Sequence, residues 1–176
     1  RPWGWKDPRN SLTYEIWHRL YPGARFIHVF RHPMDVASSL HQRELSRSSH
    51  MIKRLLERSN DSIGINYHAG LSSRSIKIEG CLELWKIYVA RCLTLNQVLP
   101  RAAVIHVCFE DLLQDPVSTL RQLSVFCGLN TSEEVIDSAA ADINPNRRFA
   151  FRSNPKLVKI YESYKDVELI QHLYGS

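Results

Sequence analysis

The chain has 176 residues, 44% of them hydrophobic and 23% charged, an ordinary balance for one globular domain with a real core. That balance excludes a disordered or low-complexity polymer, and no apolar run is long enough to cross a membrane. The formal net charge of +5 mildly favours an anionic partner, but Lys and Arg are scattered rather than blocked, which argues against a nucleic-acid-binding arm.

The sequence opens at Arg1 without a methionine and is already apolar at Trp3-Gly4-Trp5, so it reads as a piece of something longer. Residues 2–6 look like a short strand or its tail. Asp7-Pro8 resembles an N-cap followed by a first-turn proline, opening a helix over about residues 8–20. Leu12, Ile16 and Leu20 recur every four positions beside Trp17 and give that helix an expected core face. Tyr21-Pro22-Gly23 stops it. Phe26, Ile27, Val29 and Phe30 then form a β-rich apolar run of the kind buried on both faces.

Arg31 stands where that strand ends, and Pro33 suits the first position of a helix expected to reach about residue 47. Asp35 and Ser39 are four apart and share one face of it, with Asp35 reading as a first-turn charge that favours the helix dipole. Residues 46–75 are polar and hard to read: Met51-Ile52 and Leu55-Leu56 suggest a short helix, and 61–75 a long loop of a length that is usually functional or disordered. A helical pattern over 76–99 puts Ile78, Leu82, Trp85, Val89, Cys92 and Leu93 on one stripe, ended by Pro100. Residues 102–109 read as a second buried strand, closed by Glu110-Asp111 at the edge where Arg31 is expected.

Asp115-Pro116 opens the next helix, carried by Val117, Leu120, Leu123 and Cys127 and closed by Gly128. Thr131 with Glu134 forms a capping-box pattern. Residues 144–154 are a loop bearing Arg147, Arg148 and Arg152, and Asn154-Pro155 opens a last helical region with Leu157, Ile160, Tyr161 and Tyr164 on one face. Strands alternating with helices imply an α/β architecture with parallel crossovers.

The chemistry begins at Arg31. A strand that ends in arginine and turns at once into a helix places a guanidinium and a hydroxyl near the carboxyl edge of a sheet, where open α/β sheets bind ligands. The guanidinium fork with a nearby hydroxyl suits phosphate oxygens. The plainer alternative is a surface ion pair and a small packing serine. Cys81, Cys92, Cys108 and Cys127 show no C-x-x-C spacing and read as reduced packing residues, and the histidines have no ligand spacing, so no metal site is expected. His28 and His106 read as core or edge strand residues, and the four tryptophans as core.

Three segments in series resemble the sulfotransferases that use 3′-phosphoadenosine 5′-phosphosulfate (PAPS), of bacterial and tyrosylprotein type. Arg31 with Ser39 eight residues on is similar to the family's 3′-phosphate-binding segment. Trp5-Lys6-Asp7-Pro8 resembles its Lys-Asp-Pro segment. Phe109-Glu110-Asp111-Leu112 resembles its Tyr-Glu-Asp-Leu strand end, and Asp115-Pro116 with Phe126-Cys127-Gly128-Leu129 its downstream Asp-Pro and Phe-x-Gly-Leu. The resemblance implies a P-loop NTPase-like, three-layer fold with a parallel sheet, formed by 1–176 as a single domain. The family's N-terminal strand and Gly-rich loop, which cradle the phosphosulfate, have no counterpart between Arg1 and Ser176, and a missing central strand would expose apolar sheet edge.

The resemblance further implies sulfuryl transfer from PAPS to a hydroxyl or amine of a carbohydrate, a protein tyrosine or a small molecule, with no metal. Lys6 would lie by the transferring group, and Asp7 is the nearest carboxylate for the base, though Pro8 makes it first a helix cap and only then an acid–base group. Arg31 and Ser39 would hold the 3′-phosphate, Phe109 would pack near adenine in place of the usual Tyr, and Arg147 and Arg148 would bring late basic charge to the same phosphate. Two other readings stand beside it. A P-loop-like kinase or phosphotransferase needs a Walker lysine and a magnesium carboxylate, and a non-catalytic basic module for nucleotide or nucleic acid needs a basic, aromatic-lined face.

Overall fold

A computed structural model describes residues 3–57 and 77–175, with side chains described at 3–47 and 77–175. Helix α1 (Asn10–Leu20) leads into strand β1 (Phe26–Phe30) and then α2 (Pro33–Glu57). After the undescribed stretch come α3 (Ile78–Leu93), the short α4 (Leu95–Val98), a 3₁₀ turn (Arg101–Ala103) and β2 (Val104–Cys108). Helices α5 (Phe109–Gln114), α6 (Pro116–Cys127) and α7 (Glu133–Ala141) come next. Two further 3₁₀ turns (Pro145–Arg147 and Ala150–Ser153) precede α8 (Pro155–Glu162) and α9 (Glu168–Tyr174).

The two strands pair in parallel, with Phe26 opposite Val104 and Phe30 opposite Cys108. The architecture is therefore α/β with a small parallel sheet. Side chains alternate across such a sheet. On one face Phe26 and Val104 meet Tyr14, Cys92, Leu95 and Leu99, while Phe30 packs against Trp85, Val89 and Ile170. A third cluster joins Met34 and Ala37 of α2 to Cys81 and Leu82 of α3, Phe151 and Leu157. It seats the start of α2 firmly against the C-terminal part of the chain.

Several expectations are corrected. Residues 3–7 form no strand, and α1 starts later than residue 8. Its apolar stripe Leu12, Ile16, Leu20 faces outward, and Tyr14 is what α1 buries. Position 14 lies roughly 200° around the helix from Leu12, so a helix covered on one face does not bury both. β1 is covered on one face only: Ile27 and Val29 are 44% and 52% exposed. Trp85 is a core residue, whereas Trp3 and Trp5 are exposed and stack on each other beside Trp17 and Tyr21.

Other differences lie at element ends, where local signals compete. α2 runs to Glu57 rather than stopping near 47, absorbing the short helix expected at 51–56. The loop expected over 61–75 lies outside the described residues. The 76–99 pattern divides into α3 and α4 at Thr94. Phe109 begins helix α5 instead of ending a strand. The Thr131 box does not form; Ser132 holds the N-cap position of α7 without a side-chain cap bond, and Thr131 Oγ1 bonds Ser124 Oγ at 2.6 Å.

The Asp115 cap does hold, its carboxylate accepting from Ser118 N at 3.1 Å. α6 lies half-buried along its apolar positions, and Gly128 ends it in the left-handed conformation at φ 67°. None of the four cysteines forms a disulfide, and Cys81 and Cys92 are buried.

Candidate anion-binding site

Where β1 ends, the chain turns through Arg31 and His32 into α2, and three buried groups fix that turn. Trp85 Nε1 donates to the Arg31 carbonyl at 2.9 Å. The His32 amide donates to Glu110 Oε1 at 3.0 Å, and Glu110 Oε2 accepts from Tyr174 Oη at 3.0 Å and from the weaker donor Cys108 Sγ at 3.3 Å. Glu110 is fully buried, and these donors replace the water it gives up. Burial and the neighbouring carboxylate push the Cys108 thiol up to about 11 and raise Tyr174 further still, so both stay protonated donors.

His32 is itself buried, its ring stacked on Phe151 at 4.4 Å, with Nδ1 accepting from the Met34 amide at 3.3 Å. Burial, with the positive charges of Arg152 and Arg31, holds it down at about 3, so the ring is neutral. The backbone from 31 to 34 is thus set by the interior, not by the solvent.

The Arg31 side chain is held in place on several sides. Its Nη2 donates to Asp35 Oδ2 at 3.0 Å and to the Arg147 carbonyl at 2.8 Å, and the guanidinium lies 5.0 Å from the centre of the Phe109 ring. Its Nε is buried without a hydrogen-bond partner among the described residues. An orphaned guanidinium donor is costly, and an anion oxygen would satisfy it.

Beside it opens a pocket of about 340 Å³, between α2 and the 3₁₀ segment. Arg31, Asp35, Ser38 and Ser39 line one side of it and Arg147 and Ser153 are among those lining the other. The expected eight-residue spacing therefore delivers Arg31 and Ser39 to one cavity.

The remaining expected site residues are distributed differently. Arg147 reaches the same pocket. Arg148 Nη2 instead donates to Gln114 Oε1 at 2.6 Å, and its guanidinium lies 5.2 Å from the Phe149 ring, which Arg152 also covers at 4.5 Å. Phe149 sits at φ 47°, the only non-glycine residue with positive φ among those described. Lys6 is exposed, and neither it nor Asp7 lines the pocket. Asp7 Oδ1 accepts from the Arg9 amide at 2.8 Å and both carboxylate oxygens accept from the Arg9 guanidinium, which holds the carboxyl down at about 2.

Asp35, Trp85 and Glu110 contribute to this site although the sequence does not mark them as site residues. The signal for Asp35 is its position four residues after Arg31, the spacing of a helical ion pair. The sequence marks Glu110 only as part of the segment that closes the second strand and Trp85 only as a core position, and their ties to the 31–32 turn are to residues far away in sequence. Among the described residues no cluster of His, Cys, Asp or Glu is placed to hold a metal ion, and no helix is long and apolar enough to cross a membrane.

Compared with known proteins, residues 1–133 match the family model described as the sulfotransferase family. No curated protein and no solved structure matches the chain.

Proposed function

The chain belongs to the sulfotransferase family, and from that premise we propose that it transfers a sulfuryl group from PAPS to a hydroxyl or amine acceptor. In this reading 1–176 form one domain of P-loop-like, three-layer type, and the Arg31–Ser39 pocket takes the 3′-phosphate of the donor. The observation that carries it is the meeting of Arg31 and Ser39 in one cavity, with a buried Arg31 Nε lacking a partner among the described residues.

PAPS, when bound, supplies an activated sulfuryl group whose transfer leaves charge on a phosphate oxygen. The protein's part in such a transfer is mostly positioning and neutralisation. Arg31 offers a donor already oriented by Asp35, the Arg147 carbonyl and the Phe109 ring, so little side-chain freedom remains to be lost on binding. Ser39 adds a hydroxyl from the same helix face, and Arg147 adds positive charge from the opposite side. Phe109 presents a ring for the adenine, and Arg148, tied to Gln114, contributes charge from a little further off.

Lys6 is the cation assigned to the reacting centre, where an ammonium would neutralise the leaving oxygen or hold the acceptor. Asp7 stays ionised through the acid range and is engaged by Arg9. That suits it to anchoring the turn that carries Lys6 more than to accepting a proton.

The test is a titration by calorimetry with adenosine 3′,5′-bisphosphate and, as control, adenosine 5′-monophosphate. Wild type should prefer the bisphosphate by roughly tenfold or more, and Arg31→Ala should erase that preference, the loss expected of a charge-assisted contact of about 1.5–3 kcal/mol. Ser39→Ala should reduce the preference less. Equal affinity of wild type for both nucleotides would remove the case for a 3′-phosphate site.

A further inference from the structure

The family match ends at residue 133, yet the pocket is closed by residues well beyond it. Among the groups that join the two parts is one carboxylate. Asp35 lies in the first turn of α2, where its sequence position accounts only for a favourable charge on the helix dipole, and its side chain is 3% exposed. Oδ2 accepts from Arg31 Nη2 at 3.0 Å, and Oδ1 accepts from the backbone amide of Phe151 at 2.7 Å. The two oxygens therefore have different tasks. One orients the guanidinium; the other fastens the 3₁₀ turn Ala150–Ser153, and with it Arg147 and Phe149, to the start of α2.

A carboxylate needed only for the helix dipole would do its work exposed at the first turn, without long-range partners. This one is buried and satisfied on both oxygens, across 116 residues in the case of Phe151. The same segment returns a second contact, the Arg147 carbonyl to Arg31 Nη2. With Nη2 occupied twice, Nε is left as a guanidinium donor with no partner among the described residues.

We infer that Asp35 is the positioning residue of the anion site: it aims Arg31 at the 3′-phosphate and clasps the C-terminal 3₁₀ segment against the same pocket. This rests on the donor assignment proposed above. It also fixes a sign that simple electrostatics gets wrong. A negative charge beside a phosphate site should repel the ligand, so its removal would be expected to tighten binding. As a positioning group its removal must weaken binding, because Arg31 loses its orientation and the far wall loses its fastening.

The experiment compares wild type, Asp35→Asn and Asp35→Ala, using both nucleotides by calorimetry and amide hydrogen exchange at Phe151. Asparagine keeps an acceptor for the Phe151 amide but loses the charge that holds Arg31, and alanine loses both. Discrimination between adenosine 3′,5′-bisphosphate and 5′-monophosphate should fall in Asp35→Asn and fall further in Asp35→Ala, with 5′-monophosphate affinity little changed. Phe151 exchange should accelerate in Asp35→Ala and stay slow in Asp35→Asn.

Wild-type discrimination retained or increased in the variants overturns the inference while leaving the donor assignment standing. A wild type that does not discriminate removes both. Should Asp35→Ala fail to fold, Asp35→Asn decides alone, through its discrimination.

Discussion

At the scale of single residues, the buried histidines of the strand β1 and the turn after it make stability depend on pH in a defined window. His28 Nδ1 meets His106 Nδ1 at 2.9 Å, and Asn96 Nδ2 meets His106 Nε2 at 2.9 Å. Burial first, and then the neighbouring imidazole, lowers His28 to about 4, while His32 is lowered to about 3. Both depressed values mean that the unfolded chain binds more protons than the folded one below the ordinary histidine value of 6.5. Stability is therefore fully present above about pH 6.5 and is lost as the pH falls toward the folded values. Between about pH 6.5 and 5 each histidine should account for up to about 2 kcal/mol, at roughly 1.4 kcal/mol per pH unit. Denaturant midpoints measured at about pH 7 and about pH 5 check this. His32→Phe, which keeps a ring on Phe151, should flatten part of that dependence; an unchanged slope would mean His32 is protonated in the folded state.

At the scale of elements, some helix ends follow the sequence signal and others do not, and at α6 the match is set by a single atom. Gly128 closes α6 at φ 67°, and a Cβ there would stand 2.9 Å from Arg25 Nη1, the group that donates to the Phe126 carbonyl. Gly128→Ala should cost about 1–2 kcal/mol, the penalty of a left-handed non-glycine residue. Nucleotide affinity should not change. Thermal melts with a parallel titration check both halves of that statement.

Gly128 is legible because its role is local, as are the Asp115 cap, the Asn154 cap and the strand-to-helix turn at Arg31. The apolar stripe of α3 is legible because its periodicity coincides with its burial. The outward facing of Leu12, Ile16 and Leu20 is not, since periodicity reveals that a helix has an apolar side without revealing what covers it. Nor are the ties of Glu110 to His32 and Tyr174, or of Asp35 to Phe151. Such pairs are set by tertiary approach and leave no spacing to read.

At the scale of the whole molecule, the described residues bury three clusters yet leave a broad apolar surface. Leu12, Ile16 and Leu20 on α1 are exposed, as are the mutually packed Trp3, Trp5 and Tyr21, and Ile27 and Val29 on the open face of β1. Isolated exposed apolar residues are ordinary, but contiguous ones attract other apolar surfaces. The protein should therefore bind a hydrophobic dye such as ANS in its folded state. Ile16→Lys should lower that signal while moving stability by no more than about 0.5 kcal/mol, as expected for a solvent-facing position. A large loss of stability with unchanged dye binding would show Ile16 to be packed.

The imidazole pair between the strands has a consequence for how the chain finds its alignment. A slip of one residue would turn the packed face of either five-residue strand outward, so burial of Phe26, Phe30 and Val104 already specifies the register. A bond between ring nitrogens tolerates no such shift either, because a slip of one position sets an imidazole against valine or isoleucine on the opposite side of the ribbon. His28 and His106 thus act with that burial as a key cut to a single notch, in which Phe30 and Cys108 come level. The residues just beyond them, Arg31 and Phe109, then emerge as neighbours.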